Sequence, residues 1–532
     1  MSVGVIGPAA LSIRTAHAAG VFEGPVPRAT CGAGSLPEDA LQGEVPLKDR
    51  QSGRSQLGFR CNLELVGQHQ GEGASWQNAW YSHCDYYDTK SGIPPTGNGQ
   101  VNPGTQVIDV SDPAHPVLTA HLTSQAMMGA WESLKVNQKR GLLAAVAAYD
   151  PAGNGPLFFD VYDVKSDCAH PQLLGSLAAD VSTSSPANIG AGHEGAWAPD
   201  GLTYYGTGGR GETAFDVSDP TNPKAIYTDQ NTHGLSISDD GRSAYMTGPS
   251  CGNGLKIVDE STVQQRQGTV VSTPVVGTVC WTDGGVAQHT IPIFYGGHPY
   301  LVFVDEGGSC PPGTQAFVVE CSDGSSALQG PAGAARIIDI QDPTHPVVVS
   351  KLKLEIHMPQ NASAASADIA GNGGFGYEGH YCAVDREVDP TAVACGYFQS
   401  GIRVFDVRDP LSPREVAYFN PPAQVAKHGT LPGSEHDGGP NNTQPPNDTT
   451  DWCTSQIRFT QGPDGSPMLW AQCQDNGFMA LRFTNGVYPL TSAAVVPEAP
   501  WSVVTLPTLG AAAALTLWTR RRRARHPIRS GD

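Results

Sequence analysis

Four histidines stand at equivalent places in a repeated pattern, and their chemistry is that of metal ligands. They are His193, His233, His289 and His380. Each opens an apolar stretch that leads into a turn, and in the first three the turn residue follows seven positions later. Neutral imidazoles with a carboxylate close by suit Cu, Zn or Fe, and Glu194 and Glu378 lie next to or near members of this set. The pattern predicts a metal site if the fold brings these residues together.

The strands that must position these residues belong to a repeated sequence pattern. The phrase "VIDVSDPAHPVL" at 107–118 returns as "IIDIQDPTHPVV" at 337–348, and related copies begin at Thr213, Arg403 and Asp160. Each copy reads as a strand that ends in Asp, a turn rich in Asp and Pro, and a second strand. Together with the strands upstream of it, each repeat holds four short strands, which is the period of a propeller blade.

Seven such blades account for residues 57–486. Their predicted spans are 75–124, 131–177, 193–228, 233–279, 289–354, 380–420 and 451–483. The last unit offers only three strands, and residues 61–68 resemble the outer strands of the other blades. We therefore predict an all-β, seven-bladed β-propeller closed by an N-terminal strand, which removes two exposed sheet edges.

Closure of the propeller predicts a ring of histidines. Equivalent positions on the innermost strands surround the axis, so the four imidazoles could converge at one mouth of the channel. Trp131 and Trp452 hold the same position in the second and last blades. Two other interpretations compete with a metal site. A histidine that recurs by duplication can be purely structural, and the ring can form a metal-free polar binding pocket.

The composition agrees with a large all-β protein that does not bind nucleic acid. The 532 residues include 63 Gly and 43 Pro, and only 16% are charged. The formal net charge is -19, and six of the 32 basic residues lie in a short C-terminal tail. An acidic surface argues against nucleic acid and against anionic membrane surfaces as partners.

The two ends of the chain predict export and anchoring. Residues 1–19 resemble a secretory signal, and 20–56 form an irregular N-terminal segment. A linker at 487–500 contains "VPEAP", residues 501–519 are an uncharged apolar stretch long enough to span a membrane, and 520–532 form a basic tail. Arginines after a span hold the tail in the cytoplasm, so the propeller would lie outside. The arrangement resembles bacterial C-terminal sorting signals of the PEP type.

Cysteine usage also favours an extracellular location. The chain has 12 cysteines, and their spacing suits disulfide bonds between neighbouring strands better than zinc ligation. The candidate pairs are Cys382 with Cys395, Cys453 with Cys473, and Cys310 with Cys321.

The repeat resembles the LVIVD-repeat family of bacterial surface β-propellers. The family signature is an apolar strand followed by Asp-Val, Ser-Asp-Pro and Pro, and it is matched at 107–116, 214–223, 337–346 and 404–413. The fourth blade departs from the signature with "KIVDESTVQQRQG", which predicts a remodelled turn. The resemblance implies a propeller outside the membrane and brings no settled activity, because a fold does not fix a function. A channel with several histidines would also resemble the copper-dependent methanethiol oxidases of the selenium-binding protein family.

A long polar loop between the sixth and seventh blades could add ligands from above the channel. Residues 420–451 are rich in Pro, Asn and Gly, and a loop of this length is either a functional lid or a solvated connection. Its possible ligands are His428, Glu435, His436 and Asp437.

Two functional hypotheses follow from the sequence. The first is a membrane-anchored propeller at the cell surface that binds a protein or glycan partner through loops on one face. The second is a secreted metal-dependent enzyme, an oxidoreductase or a hydrolase, with its site at the histidine ring. Bound transition metal in the purified protein would distinguish the second hypothesis from the first.

Overall fold

Seven antiparallel β-sheets make up the fold in the computed structural model of the chain. The structure describes residues 20–91, 99–148, 157–179, 192–207, 212–229, 232–248, 253–266, 273–307, 333–369, 375–424, 431–436 and 451–490. Six of the sheets have four strands, and one has five. The prediction of an all-β, seven-bladed propeller is confirmed.

Short elements precede the first complete blade. The helix α1 spans Leu47–Ser52, and a 3₁₀ helix follows at Arg54–Leu57. Strands β1 (Phe59–Cys61) and β2 (Leu63–His69) come next. The segment predicted to be irregular therefore contains one short helix close to its end.

The first four blades follow in chain order. Blade 1 contains β3 (Asn78–Tyr81), β4 (Cys84–Tyr87), β5 (Thr105–Asp109) and β6 (Val117–Leu122). Blade 2 contains β7 (Lys135–Asn137), β8 (Leu142–Ala148), β9 (Leu157–Asp163) and β10 (Gln172–Ala179). Blade 3 contains β11 (Glu194–Trp197), β12 (Thr203–Thr207), β13 (Glu212–Asp216) and β14 (Lys224–Asp229). Blade 4 contains β15 (Leu235–Ile237), β16 (Ser243–Thr247), β17 (Gly254–Asp259) and β18 (Val275–Cys280), with the helix α2 (Ser261–Gln264) before β18.

The last three blades complete the ring. Blade 5 contains β19 (Gly285–Tyr295), β20 (His298–Gly307), β21 (Ala335–Asp339) and β22 (Val347–Lys351). Two 3₁₀ helices (Glu355–His357 and Pro359–Asn361) and the helix α3 (Ala362–Ile369) follow blade 5. Blade 6 contains β23 (Cys382–Val384), β24 (Ala392–Gly396), β25 (Ile402–Asp406) and β26 (Arg414–Asn420). Blade 7 contains β27 (Arg458–Gln461), β28 (Pro467–Cys473) and β29 (Gly477–Phe483).

The N-terminal strands close the ring. Strand β2 pairs antiparallel with β29, so that Leu63 lies opposite Phe483 and the strand becomes the fourth of blade 7. This is the closure that the sequence predicts. Strand β1 adds a fifth strand to blade 6 by pairing with β26, which the sequence analysis does not anticipate.

The repeated phrase builds the turn between the third and fourth strands of a blade. In blade 1, Asp109 Oδ1 accepts a hydrogen bond from the Ser111 amide at 2.8 Å, and Asp112 Oδ1 accepts one from the Ala114 amide at 3.0 Å. The same two bonds recur in the copies that end β9, β13, β21 and β25. Blade 4 keeps the first bond, and α2 replaces the second, as its departing sequence predicts.

Each outer strand carries a β-bulge where it begins, and the next blade docks there. The register shifts by one residue at this place in all seven sheets. The residue after the bulge approaches the turn of the following blade, as Gly175 approaches Pro220 and Gly277 approaches Pro343. At the blade 5 to blade 6 interface, Ser350 Oγ donates to the Pro410 carbonyl at 2.7 Å. The repeated turn therefore joins neighbouring blades.

Disulfide bonds reinforce the strands and the N-terminal segment. Cys382–Cys395 and Cys453–Cys473 are the two pairs expected from their spacing. Cys31–Cys61 ties the N-terminal segment to β1, and Cys84–Cys168 joins blades 1 and 2. The third expected pair, Cys310 with Cys321, lies outside the described residues.

Several predicted segments fall outside the part of the chain that the structure describes. They are the signal-like segment 1–19, most of the "VPEAP" linker, the apolar stretch 501–519 and the basic tail 520–532. Among the described residues, none of the helices has the length and apolar character needed to cross a membrane.

Candidate metal centre

Three of the four histidines predicted to share a ring lie around one glutamate. His380 Nε2 is 3.0 Å from Glu132 Oε1, and His193 Nε2 is 3.3 Å from Glu132 Oε2. His233 Nε2 lies 2.7 Å from His193 Nε2. Because Glu132 and His380 belong to blades 2 and 6, which are not neighbours, their contact places this group on the propeller axis.

The backbone fixes two of these histidines just ahead of the innermost strands. The amide of His193 donates to Thr207 at the end of β12, and the amide of His380 donates to Gly396 at the end of β24, both at 3.0 Å. Each bond extends the pairing of the first two strands of a blade. The side chains are therefore held by the blade itself and not by a flexible loop.

Hydrogen bonds to main-chain carbonyls orient two of the imidazoles. His380 Nδ1 is 2.6 Å from the Thr454 carbonyl, and His233 Nδ1 is 3.1 Å from the Ala287 carbonyl. A carbonyl only accepts, so each Nδ1 carries the hydrogen, and Nε2 of a neutral ring has none. His380 Nε2 and Glu132 Oε1 are then two acceptors that face each other, an arrangement that requires a proton or a metal ion between them.

Two further polar side chains complete the group. Glu306 is 3% exposed, and its Oε2 lies 3.6 Å from His233 Nε2 and has no hydrogen-bond partner among the described residues. Gln288 is fully buried, donates to Glu132 and also has no described partner for its Oε1. Buried oxygens without partners fit metal ligation. We call the six residues the axial cluster: Glu132, His193, His233, Gln288, Glu306 and His380.

Burial and charge set the protonation of this group in opposite directions. Burial alone would raise the pKa of Glu132, but His193 and His380 hold it well below its usual range. Burial would lower the pKa of His193, and Glu132 raises it overall. Burial lowers the pKa of His233 to about 3, with a contribution from His193, so this ring is neutral. Burial also raises the pKa of Glu306 well above its usual range.

His289 and Glu194 do not join the axial cluster. His289 Nδ1 lies 2.9 Å from Glu194 Oε1, and Lys135 Nζ is 3.5 Å from the same oxygen. The cause is a bulge in β19 between Ala287 and His289, which turns Gln288 toward the cluster in place of the histidine. The prediction that all four histidines occupy equivalent positions is therefore wrong for His289.

Glu378, the other predicted carboxylate, also lies outside the axial cluster. Its Oε2 accepts a 2.6 Å hydrogen bond from the Gly376 amide, and its side chain is buried. Burial raises the pKa of Glu378 to about 7. The side chain is therefore a neighbouring carboxylate with its own backbone partner.

A cavity leads along the axis toward the His289 side of the cluster. It has a volume of about 390 Å³ and is lined by inner-strand residues or inner turns of all seven blades, so it is the central channel. Trp80, Trp197 and Glu387 line part of it, and Lys135 and His289 face it as well. Tyr381 lies between the channel residues and the axial cluster, with its ring 4.9 Å from His289 and its hydroxyl 3.4 Å from Glu132.

Aromatic side chains fill the other half of the ring. Trp131 and Trp452 both contact Trp76, whose ring centroid is 5.5 Å from that of Trp131 and 6.4 Å from that of Trp452. Trp76 also lies 5.4 Å from His380. Trp131 has a φ of 50°, a left-handed conformation that is rare for a bulky residue. The cluster is thus bounded by a packed aromatic wall on the side of blades 7, 1 and 2.

Part of the long loop after blade 6 packs against this wall. His436 is buried, its Nδ1 lies 2.7 Å from Asp475 Oδ2, and its ring centroid lies 4.7 Å from that of Trp452. Together with Asp451 it forms a second group of potential ligand atoms. Glu435 pairs with Lys90 at 3.6 Å. The other two predicted loop ligands, His428 and Asp437, lie outside the described residues.

A family comparison agrees with the repeat seen in the sequence and the fold. The family model of the LVIVD repeat matches residues 101–123, which contain β5, the turn and β6 of blade 1. The chain is a β-propeller that carries the LVIVD repeat. No curated protein matches the chain.

Two solved structures that match the chain are distant from it in sequence. A protein from Lactobacillus plantarum is 12% identical, with a TM-score of 0.41 over 62% of this chain and 80% of its own. A Bacteroides uniformis protein assigned as a 6-phosphogluconolactonase is also 12% identical, with a TM-score of 0.45 over 78% of this chain and 94% of its own. The strand pairing of the chain itself establishes the fold.

Three members of the axial cluster were not predicted from the sequence. The repeat itself could have predicted Glu132. Trp131 aligns with His193, so the next residue, Glu132, aligns with Glu194. The structure pairs these two glutamates in an isolated parallel bridge. Gln288 depends on a bulge that periodicity does not reveal. Glu306 lies at the end of a buried stretch of β20, and no sequence pattern marks it as a ligand.

Proposed function

We propose that this LVIVD propeller is a metalloprotein that binds a transition-metal ion, Cu, Zn or Fe, at the axial cluster. The observation that carries the proposal is the contact of His380 Nε2 with Glu132 Oε1 at 3.0 Å. The Thr454 carbonyl accepts a hydrogen bond from the only N–H of the neutral ring, so either a proton or a metal ion must lie between these two acceptors. A metal ion does so with the ligand chemistry that imidazole and carboxylate favour.

The spacing of the donor atoms supports the same proposal. Metal–ligand bonds of about 2.0–2.1 Å place neighbouring tetrahedral ligand atoms about 3.3 Å apart. The separations in the cluster are 2.7 Å between His193 and His233, 3.3 Å between His193 and Glu132, and 3.6 Å between His233 and Glu306. Small adjustments of these buried side chains would complete a coordination shell.

The metal would give the propeller a reactive centre with access from the channel. A bound transition-metal ion supplies Lewis-acid or redox chemistry. Lys135 and His289 line the route to it, and both contact the buried carboxylate of Glu194. Tyr381 lies between these residues and the cluster. These residues would hold a small substrate near the metal and exchange protons with it, as an oxidoreductase or a hydrolase requires.

The protein would work outside the cytoplasm, anchored by its C-terminal segment. Four disulfide bonds among the described residues are typical of an oxidising compartment. A propeller with LVIVD repeats also suits a surface or interaction module. We propose that a protein or glycan partner would bind the loops of one face, separately from the axial cluster.

Elemental analysis of the purified full chain tests the metal. We expect at least one equivalent of Cu, Zn or Fe, with a loss of at least half of it in His233→Ala and in His380→Ala. His121→Ala, in the exposed part of β6, is the matched control and should keep the full metal content. A metal-free wild-type protein, after reconstitution with each ion, would overturn the metal proposal and leave the interaction module as the function.

A further inference from the structure

We infer that the axial cluster holds two metal ions bridged by Glu132, a step that rests on the proposed metal-binding function. The donor residues fall into two triads that share this glutamate. One triad is Glu132, His193 and His233, and the other is Glu132, Glu306 and His380. Within each triad the ligand atoms lie within 4.8 Å of one another.

The two oxygens of Glu132 face different histidines. Oε1 is 3.0 Å from His380 Nε2, and Oε2 is 3.3 Å from His193 Nε2. A carboxylate used in this way places one metal ion on each oxygen, and protein sites with two metals separate them by about 3.5–4 Å. A single ion on Glu132 would leave the histidine on the opposite side without a role in binding.

Glu306 lies where a second bridge would form. It belongs to the triad of His380, yet its Oε2 is 3.6 Å from His233, a member of the other triad. It is buried, and this oxygen has no hydrogen-bond partner among the described residues. Gln288 Oε1, buried beside His380, is a further unpartnered oxygen at the same centre.

The charge of the surroundings favours more than one cation. Three buried carboxyl side chains, Glu132, Glu306 and Glu378, lie at or beside the centre, and a buried carboxylate requires a paired charge. Lys135 is a buried cation nearby, but the carboxylate closest to it in the described part of the chain is Glu194, at 3.5 Å. A second divalent ion would pair with Glu306, whose Oε2 has no hydrogen-bond partner among the described residues.

Each triad has one imidazole that a main-chain carbonyl holds in place. His233 is oriented by Ala287 in the first triad, and His380 is oriented by Thr454 in the second. This is the usual support of a metal-binding histidine, whose other ring nitrogen donates to a carbonyl or carboxylate. The two half-sites therefore each contain one oriented histidine, from blade 4 in the first and from blade 6 in the second, and they share Glu132 of blade 2.

Stoichiometry tests the inference and separates it from the proposed function. The full chain, stripped with a chelator and reloaded with Zn²⁺, should hold two ions per chain. His193→Ala and His380→Ala should each hold one, and His121→Ala should hold two. One ion in the wild type would overturn the two-metal centre and leave the metalloprotein in place, whereas no ion would overturn both.

A spectroscopic measurement guards against variants that fail to fold. The wild-type chain loaded with Cu²⁺ should give an electron paramagnetic resonance signal that accounts for well under half of the bound copper, because two bridged Cu²⁺ ions couple magnetically. A signal that accounts for all of the copper would contradict a bridged pair. Circular dichroism and thermal unfolding of each metal-free variant establish that a lost ion reflects a lost ligand.

Discussion

Burial controls the protonation of Glu378, which lies beside the axial cluster. Its pKa is raised to about 7 by burial, from an ordinary value of 4.5. Between these two pH values the folded state keeps a proton that the unfolded state loses. The contribution of Glu378 to stability is therefore fully present below pH 4.5 and is lost as the pH rises to about 7. A shift of this size corresponds to about 3 kcal/mol.

Glu378→Gln should remove this pH dependence in metal-free protein. The amide oxygen can still accept the Gly376 hydrogen bond, and the side chain no longer ionises. Between pH 5 and pH 8 the free energy of unfolding, measured in urea, should fall in both proteins. We expect the fall to be about 3 kcal/mol smaller in the variant than in the wild type. Glu64→Gln, on the partly exposed β2, should retain the wild-type dependence, and equal slopes for both variants would contradict the argument.

Arg403 is a buried residue on which the N-terminal segment depends. Its guanidinium lies 2.9 Å from Glu38 of that segment and 3.0 Å from Glu415 of β26, and the side chain is fully buried. Arg403→Met leaves both carboxylates without their cation, which should cost about 3–5 kcal/mol. Chemical denaturation measures the loss, and limited proteolysis should cut within residues 20–56 first.

Arg414→Met is the matched control for this prediction. Arg414 pairs with Asp406 at 2.9 Å, but its side chain is 56% exposed. An exposed pair contributes about 0–1 kcal/mol, so the variant should unfold almost as the wild type does. If the two variants lose similar stability, the buried pair with Glu38 does not anchor the segment.

At the residue scale, the sequence predicts those members of the axial cluster that lie at repeated positions. His193, His233 and His380 occupy repeated positions, and alignment on the turns is enough to find them. His289 was misplaced because a bulge in β19 changes the register by one residue, and one residue reverses the face of a strand. The sequence does not predict Glu306, because closure of the ring brings it into the cluster and no local pattern marks it.

At the scale of elements, the bulge of each outer strand packs against the turn of the next blade and joins the two blades. A Cβ added to Gly277 would lie 2.1 Å from the Pro343 carbonyl oxygen, which is backbone and cannot move aside. Gly277→Ala should therefore destabilise the protein by about 1–3 kcal/mol. Thermal and urea unfolding measure the change.

Ser350→Ala tests the same joint without adding atoms. Ser350 holds the corresponding position in blade 5 and donates to Pro410. Its loss should cost about 1 kcal/mol, the usual net value of one hydrogen bond. A larger effect from Ser350→Ala than from Gly277→Ala would show that close packing at the bulge is unimportant.

The sequence predicts most strands and fails where an element has no repeat. The Asp residues that end β5, β9, β13, β21 and β25 mark real turns, so blade boundaries follow from the phrase alone. The sequence does not predict strand β1, because its three residues carry no copy of the repeat and its position depends on pairing with β26 and on the Cys31–Cys61 disulfide. Tertiary contacts, and not local propensity, create this strand.

At the scale of the whole molecule, the axial cluster depends on ring closure. Glu132 of blade 2 meets His380 of blade 6 only because β2 completes blade 7 and brings the last blade against the first. Gly67 of β2 packs against the Pro113 carbonyl of blade 1, so the closing strand also uses the joint between blades. Opening the ring should therefore lower both stability and metal binding.

Leu63→Asp should open the ring at its closing strand. Leu63 is 2% exposed and lies in β2 opposite Phe483, so an aspartate there would bury a charge without a partner. We expect a loss of about 4 kcal/mol or more in the free energy of unfolding. Amide exchange should accelerate first in β29, and the metal content should fall, although the substitution lies in a different blade from every member of the axial cluster.

Leu65→Asp is the matched control, because it places the same charge on the same strand. Leu65 is 42% exposed, so the new carboxylate would remain in water. This variant should keep its metal and lose less than about 1 kcal/mol, since a surface substitution away from special features is nearly neutral. If Leu63→Asp unfolds as late as Leu65→Asp and retains its metal, the ring is held by contacts other than the N-terminal strand, and the link between closure and the centre fails.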